Sequence, residues 1–333
     1  PYFRQPTFEV LMIAAVFPGQ GSQAPGMGKS YFDQFKIAQD TFKEASENLS
    51  IDLAQLCFEG PPSELALTQN TQPALLCVST AIYRVLNTEF GFKPQIAAGH
   101  SIGEYAAMVA TGALDFKTAI KAVRLRGHAM QEAVPIGNGG MVAVIGLEDH
   151  QVKHICEWAE KESGCAPLVP ANYNCPGQVV ISGNKKTIDY LISNFDASKF
   201  AGFPTRVKLM PLNVSAPFHC SLMRPAEVRM MTFFSTVNFQ RPAFPIVQNV
   251  SAQAETNPEV LKNQLVSQVS APVRWTESVK TVTALGVNTI VEIGHGKVLA
   301  GLIKKISPDQ LVLTTQDATD LENLRSGLKA LGH

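Results

Sequence analysis

The chain has 333 residues, 45% hydrophobic and 17% charged, a composition that suits a globular protein with enough length for a sizeable core. Lys+Arg and Asp+Glu each number 28, so the formal net charge is zero and no global field argues for nucleic acid or an anionic membrane. No apolar run approaches the ~18 residues of a membrane span, and the six cysteines stand singly, without the C-x-x-C spacing of a metal or redox site.

Residues 1–11, PYFRQPTFEVL, lack the charged-then-apolar order of a signal peptide and are expected to be an added extension, with Met12 as the native start. From there short apolar runs alternate with amphipathic helices, which predicts a layered α/β fold. The first strand, 13–17, runs into Pro18-Gly19-Gln20-Gly21-Ser22-Gln23-Ala24. Gly19 to Ala24 formally fits a dinucleotide fingerprint. Pro25-Gly26 would interrupt the helix that such a site needs, and no acidic residue closes a second strand. The loop is read instead as a source of backbone N–H groups, with Gln20 supplying an oxyanion donor.

Helices are expected at 30–48 and 71–89, followed by a strand at 95–98 and Gly99-His100-Ser101-Ile102-Gly103. G-x-S-x-G alone is weak, since at ~7% each of Gly and Ser roughly one chain in ten of this length carries it by chance. Its context is more specific: a strand before, and a helix over 102–111 after, make the strand–turn–helix of a nucleophile elbow. His100 is expected to point away from the serine.

The helix over 116–134, capped by Asp115, carries Arg126 on the face of Ala119, Ala122, Val123, Ala129 and Met130. A guanidinium there needs an anionic partner. Two partners fit equally: an internal carboxylate, or a substrate carboxylate gripped by the planar fork.

A glycine-rich stretch, Gly137-Asn138-Gly139-Gly140, opens a segment reading strand, helix, strand, strand or loop, helix, strand. Residues 138–207 are therefore taken as a small inserted subdomain of ferredoxin-like pattern. Residues 12–137 and 208–333 would form the larger α/β subdomain, with a cleft between the two. Expected strands within or beside the insert are 142–145, 179–182 and 207–212, with helices at 148–162 and 185–194.

Ser215-Ala216-Pro217-Phe218-His219-Cys220 follows a strand and precedes a helix over 220–236. His150 and His154 lie on a solvated helix face, and His128 sides with Lys121 and Arg124. His219 is left as the leading base for Ser101, although a lone histidine is more often structural than catalytic. The remaining expected elements are a strand at 246–250, helices at 258–269 and 275–285, and a strand at 289–293.

Several of these segments, taken in order, resemble the malonyl-CoA:acyl carrier protein transacylase family. They are PGQGSQ at 18–23, TQPAL at 71–75, GHSIGEYAA at 99–107 and MQEAVP at 130–135. NYNCPGQVVISG at 172–183, VSAPFHCSLM at 214–223, QNVSA at 248–252, PVRW at 272–275 and VEIGHGKVL at 291–299 continue the series. The resemblance implies an α/β fold, a hydrolase-like core with a parallel sheet plus an inserted ferredoxin-like α+β subdomain. It implies Ser101 as nucleophile, His219 as base, Arg126 for the malonyl carboxylate, and the N–H groups of Gln20 and Ile102 as the oxyanion hole. A main-chain carbonyl at Gln268 would orient the histidine, and Gln72 and Asn172 would line the cleft.

The implied activity is malonyl transfer from malonyl-CoA to the phosphopantetheine thiol of acyl carrier protein, through a malonyl-serine, for fatty acid synthesis. A trans-acting acyltransferase of polyketide synthesis and a serine thioesterase are the alternatives. No resident cofactor, metal, nucleic acid or membrane is expected, and the protein is expected to be a cytoplasmic monomer. Phe218 would crowd an α-methyl branch on the acyl group, or merely pack. Lys185, Lys186, Lys304 and Lys305 are candidates for an acidic carrier, or solvated surface lysines.

Overall fold

The computed structural model describes residues 12–214 and 216–330; the expected extension 1–11 and Ser215 lie outside the described residues. Among the described residues ten strands form two sheets. In chain order they are β1 (Ile13–Phe17), β2 (Ile96–Gly99), β3 (Gly139–Ile145), β4 (Leu168–Cys175) and β5 (Gln178–Asn184). After them come β6 (Lys208–Pro211), β7 (Ile246–Val247), β8 (Ala254–Glu255), β9 (Thr289–Glu292) and β10 (Leu311–Thr314).

The larger sheet runs β10-β9-β1-β2-β7-β8 and is parallel except for β8, which pairs antiparallel with β7. Its central strand, IAAVF, is buried at every position, as a parallel strand covered by helices on both faces must be. Phe17 pairs with Gly99, so β1 and β2 end together. The loops that follow them therefore emerge side by side at the carboxyl edge, where open α/β sheets hold their sites.

The second sheet is antiparallel, in the order β4-β5-β3-β6. The helices Asp149–Ser163 and Lys185–Asn194 pack on it around Val142, Val144, Ile155, Ile181 and Leu191. Strand, helix, two strands, helix, strand in this order is the ferredoxin-like arrangement. The edge strand β6 pairs with β3 up to Pro211, so the sheet continues past the boundary expected at 207. The second sheet is tied to the segment before the helix Trp275–Ala284, where the Val273 carbonyl accepts from Tyr173 N–H at 2.9 Å and Val273 N–H donates to the Ala171 carbonyl at 2.8 Å.

The helix expected at 30–48 is two, Lys29–Gln34 and Lys36–Leu49, because Phe35 is extended at φ −124°. Helices at Leu53–Glu59, Pro62–Leu65, Val298–Ile306 and Asp320–Ala330, and strands β8 and β10, were not anticipated. β4 departs from simple alternation because its register shifts between Pro170 and Asn172 and again between Tyr173 and Cys175. In the helix Thr68–Phe90, Pro73 has no N–H for the Gln69 carbonyl. Arg124 replaces it, donating from Nη1 at 2.7 Å, so the arginine on the other face of Phe116–Glu132 has a structural task.

Candidate active site

Ser101 sits on the turn between β2 and the helix Gly103–Ala110 with φ +52°, in the left-handed region. The flanking glycines are steric requirements. A Cβ on Gly99 would lie 2.0 Å from the Gly103 carbonyl carbon, and one on Gly103 would lie 2.1 Å from the Phe17 carbonyl oxygen. The tight turn lifts the serine side chain into a cavity of about 410 Å³ lined from both sheets.

His219 faces the serine, with Nε2 2.8 Å from Ser101 Oγ. Its Nδ1 lies 2.9 Å from the main-chain oxygen of Gln268 and 3.2 Å from that of Ala271. Both partners of Nδ1 are carbonyls, so Nδ1 carries the proton and Nε2 is the lone-pair nitrogen. Burial, with the positive charge of Arg126 second, pushes the imidazole pKa down to about 3. The ring is thus neutral and ready to take the serine proton across the physiological range. No carboxylate among the described residues bonds to it. Asp115, Asp149, Asp189 and Asp196 cap or occupy helices instead, which leaves a serine hydrolase without its usual third residue.

Arg126 is 1% exposed. Its Nη2 donates to Gln268 Oε1 at 2.8 Å and lies 3.3 Å from Ser101 Oγ, and the guanidinium stands over the Tyr105 ring at 5.7 Å. The buried Nε has no partner, and no ion pair to Arg126 is found among the described residues. Of the two partners its position called for, an internal carboxylate in contact is therefore absent there. An orphaned N–H beside a nucleophile is suited to a carboxylate brought in by a ligand.

The backbone N–H groups of Gln20 and Ile102 donate to no protein group among the described residues, and both residues line the cavity. The loop of Gln20 is pressed against the elbow: a Cβ on Gly19 would come within 2.6 Å of the His100 carbonyl oxygen. Gln72, Asn172 and Phe218 line the same cavity, and Gln72 Oε1 is a buried acceptor without a partner among the described residues. Gln268 is fully buried behind the site. All nine residues singled out in the sequence thus converge, eight on the cavity wall and Gln268 one layer beneath.

One expectation is corrected. His100 does not point away: it lines the cavity, its Nε2 2.9 Å from Asn174 Oδ1 and its ring edge-on to Trp275. The turn swings consecutive side chains less than a strand would, because Ser101 leaves extended geometry.

Two participants escaped the sequence reading. Asn249 accepts from Ser101 N–H at 2.7 Å and donates to the Gly99 carbonyl at 2.6 Å, clasping the elbow on both sides of His100. Glu104, fully buried, receives Gln248 Nε2, Asn249 N–H and Gln268 Nε2. It is the lone carboxylate of an otherwise apolar helix, GEYAAMVA, and the face argument that singled out Arg126 would have found it.

Comparison with known proteins agrees with this geometry. The acyl transferase domain family matches residues 15–326. The malonyl CoA-acyl carrier protein transacylase of Escherichia coli (strain K12) is 44% identical over 294 residues, spanning 88% of this chain and 92% of that protein. Its counterpart in Bacillus subtilis (strain 168) is 42% identical over 310 residues, spanning 93% and 95%. The solved structure of the Coxiella burnetii transacylase superposes with a TM-score of 0.90 at 38% identity, covering 98% of this chain and 99% of that one. A solved complex described as a type II PKS acyl-carrier protein with its malonyl-transacylase gives 0.89 at 42% identity, covering 95% and 99%.

Proposed function

We propose a mechanism from one premise: this chain belongs to the acyl transferase family, among the malonyl-CoA–acyl carrier protein transacylases. It moves a malonyl group from coenzyme A to acyl carrier protein. In the proposed mechanism malonyl-CoA enters the cleft with its free carboxylate on Arg126. His219 Nε2 takes the Ser101 proton as Oγ attacks the thioester carbonyl. The N–H groups of Gln20 and Ile102 receive the oxyanion. Collapse expels coenzyme A, whose sulfur takes the proton from His219, and leaves a malonyl ester on Ser101. The phosphopantetheine thiol then gives its proton to His219 and attacks the ester; collapse expels Ser101 Oγ, which takes that proton back from His219, and leaves the malonyl group on the carrier.

Gln72, Asn172 and Phe218 shape the acyl pocket in this reading, and the Gln268 carbonyl keeps the imidazole turned. No resident cofactor takes part. For this purpose the chain divides into a large unit, 12–137 with 208–333, and a small one, 138–207, although β6, which pairs in the small sheet, lies wholly beyond the second boundary. Exposed Lys186 and Lys305 offer positive charge to an acidic carrier, whereas Lys185 already pairs with Asp189. Six free thiols suit a monomer working in a reducing cytoplasm. The malonyl product serves fatty acid synthesis. The type II PKS carrier in the related complex favours polyketide synthesis as a second reading, which rates on the two kinds of holo carrier would separate.

The observation that carries the reading is Arg126, a buried guanidinium whose Nη2 lies 3.3 Å from the serine oxygen and whose Nε–H is without a partner among the described residues. Arg126→Ala should lose malonyl transfer by ~10²-fold or more, the size of a lost charge-assisted contact in the transition state, while keeping acetyl transfer from acetyl-CoA. Equal losses for the two acyl groups would remove the carboxylate role.

A further inference from the structure

Beneath the site lies a buried polar layer that the reaction does not use directly. Its centre is the Glu104 carboxylate, one turn past the nucleophile. Among the described residues every group hydrogen-bonded to it is a donor: Gln248 Nε2 at 3.1 Å, Asn249 N–H at 3.2 Å and Gln268 Nε2 at 2.8 Å. A protonated acid would point its O–H at N–H groups, so the ionised form is the one the geometry fits. Burial pushes its pKa up to about 7, while those three donors and Arg126 pull it down. Arg126 is the cation it answers, with the Gln268 side chain lying between them.

A primary amide is nearly symmetric in shape, and its orientation is set by what its two ends meet. Gln268 Nε2 meets acceptors, Glu104 Oε2 and the Ser101 carbonyl at 2.9 Å. Its Oε1 is therefore obliged to face Arg126, where it accepts Nη2 at 2.8 Å. We propose that Glu104 is a positioning residue for acyl-group selection: its carboxylate locks the Gln268 amide so that Oε1 holds one arm of Arg126 and leaves the Nε–H edge for the substrate carboxylate. This rests on the reading of Arg126 as the malonyl carboxylate's partner. With an amide at position 104 the charge is lost and one of the two acceptor oxygens becomes a donor, so Gln268 is held only by the Ser101 carbonyl and a single neutral oxygen; its amide can then turn its NH₂ toward the guanidinium, where two donors oppose each other. Malonyl transfer should suffer and transfer of an uncharged acyl group should not.

The test is the ratio of malonyl to acetyl transfer, from the two CoA thioesters to holo acyl carrier protein, in Glu104→Gln, Gln248→Leu and Arg126→Ala. Gln248→Leu removes one bond from the same carboxylate and disturbs the same buried layer, yet touches neither Gln268 nor Arg126. Glu104→Gln is expected to lower the ratio by roughly tenfold or more, one decade per 1.36 kcal/mol of lost discrimination, with acetyl transfer retained and Gln248→Leu leaving the ratio in place. If Glu104→Gln slows both donors equally while Arg126→Ala collapses the ratio, Glu104 is merely structural and the inference is overturned. If Arg126→Ala leaves the ratio untouched, the reading of Arg126 falls and this inference with it. Should Glu104→Gln not fold, Glu104→Asp retracts the carboxylate by one methylene. It is expected to lower the ratio partially, and an unchanged ratio in that variant overturns the proposal.

Discussion

At the scale of single residues, the site is a set of groups whose ordinary behaviour has been changed by burial. A histidine in water is half protonated near pH 6.5. His219 is pushed down to about 3 by burial and by Arg126, so as pH falls from 8 to 5 it stays a free base. We expect kcat/KM for acetyl-CoA, a donor that does not call on Arg126, to show no inflection near 6.5 over that range. A step there would mean that the imidazole is solvated and the proton acceptor is misassigned. Asn249 is the second residue whose worth lies in geometry. Ser101 is held at φ +52°, a strain of about 1–3 kcal/mol that persists only where the surroundings over-determine it. Asn249 supplies two of the fastenings. Asn249→Ala should cost about 1–3 kcal/mol of stability for the groups left unpaired and lower kcat by tenfold or more, read from chemical denaturation and steady-state transfer. A variant with normal kcat would show that the elbow holds itself.

At the scale of elements, the active site is a meeting of two strand ends. β1 and β2 stop in register, and Gly103 lets the elbow helix begin directly over the Phe17 carbonyl. Gly103→Ala puts a methyl 2.1 Å from that oxygen. We expect a loss of about 3 kcal/mol or more, at the upper end of overpacking, seen as a lower Tm, with transfer falling because Ser101 shifts. An alanine that folds with full activity would refute the close approach. The elbow was legible in the sequence because its chemistry is local: a short apolar strand, small residues around a serine, and a helix start lie within a dozen positions. Arg126 was legible for the same reason, as one charge on an apolar stripe. The bounds of β4 were not, although the order of the insert called for a strand there, since its bulges and Pro170 erase the alternation that would delimit it. Nor was the break at Phe35, where an aromatic in extended geometry interrupts a stretch with helical periodicity on both sides. The pairing of His219 with Ser101 joins residues 118 positions apart, and elimination could only nominate it. Asn249 and Gln248 were visible as a motif, but their role exists only through contacts to Glu104 and the elbow, which no local pattern encodes.

At the scale of the whole molecule, the turn after β2 of the larger sheet supplies the nucleophile, the helix Phe116–Glu132 the arginine and the segment between β6 and the helix Arg224–Phe234 the base, while the antiparallel sheet lines the cavity with Met141, Asn172 and Val180. The segment 271–276 bonds to β4, while its Ala271 carbonyl touches the catalytic imidazole. Buried carboxylates serve the architecture as well. Glu292, at the end of β9, caps the helix Val298–Ile306 by accepting Leu299 N–H at 3.0 Å and Ala300 N–H at 2.7 Å. Burial pushes its pKa up to about 7 against those two bonds. A raised carboxyl pKa means that the native state holds the proton more tightly than the unfolded chain. The associated stability is full below about pH 4.5 and is lost as pH rises through about 7. The stability gap between the parent and Glu292→Gln should therefore shrink as pH rises across that window, as measured by denaturation midpoints; a gap that widens would reverse the assignment. The central claim is the acyl-serine itself. Incubating the protein with radiolabelled malonyl-CoA alone, quenching, and mapping the label by peptide mass tests it most directly. The account predicts one malonyl group on Ser101 that holo acyl carrier protein chases away. Folded protein that stays unlabelled while malonyl reaches the carrier at the normal rate would contradict it.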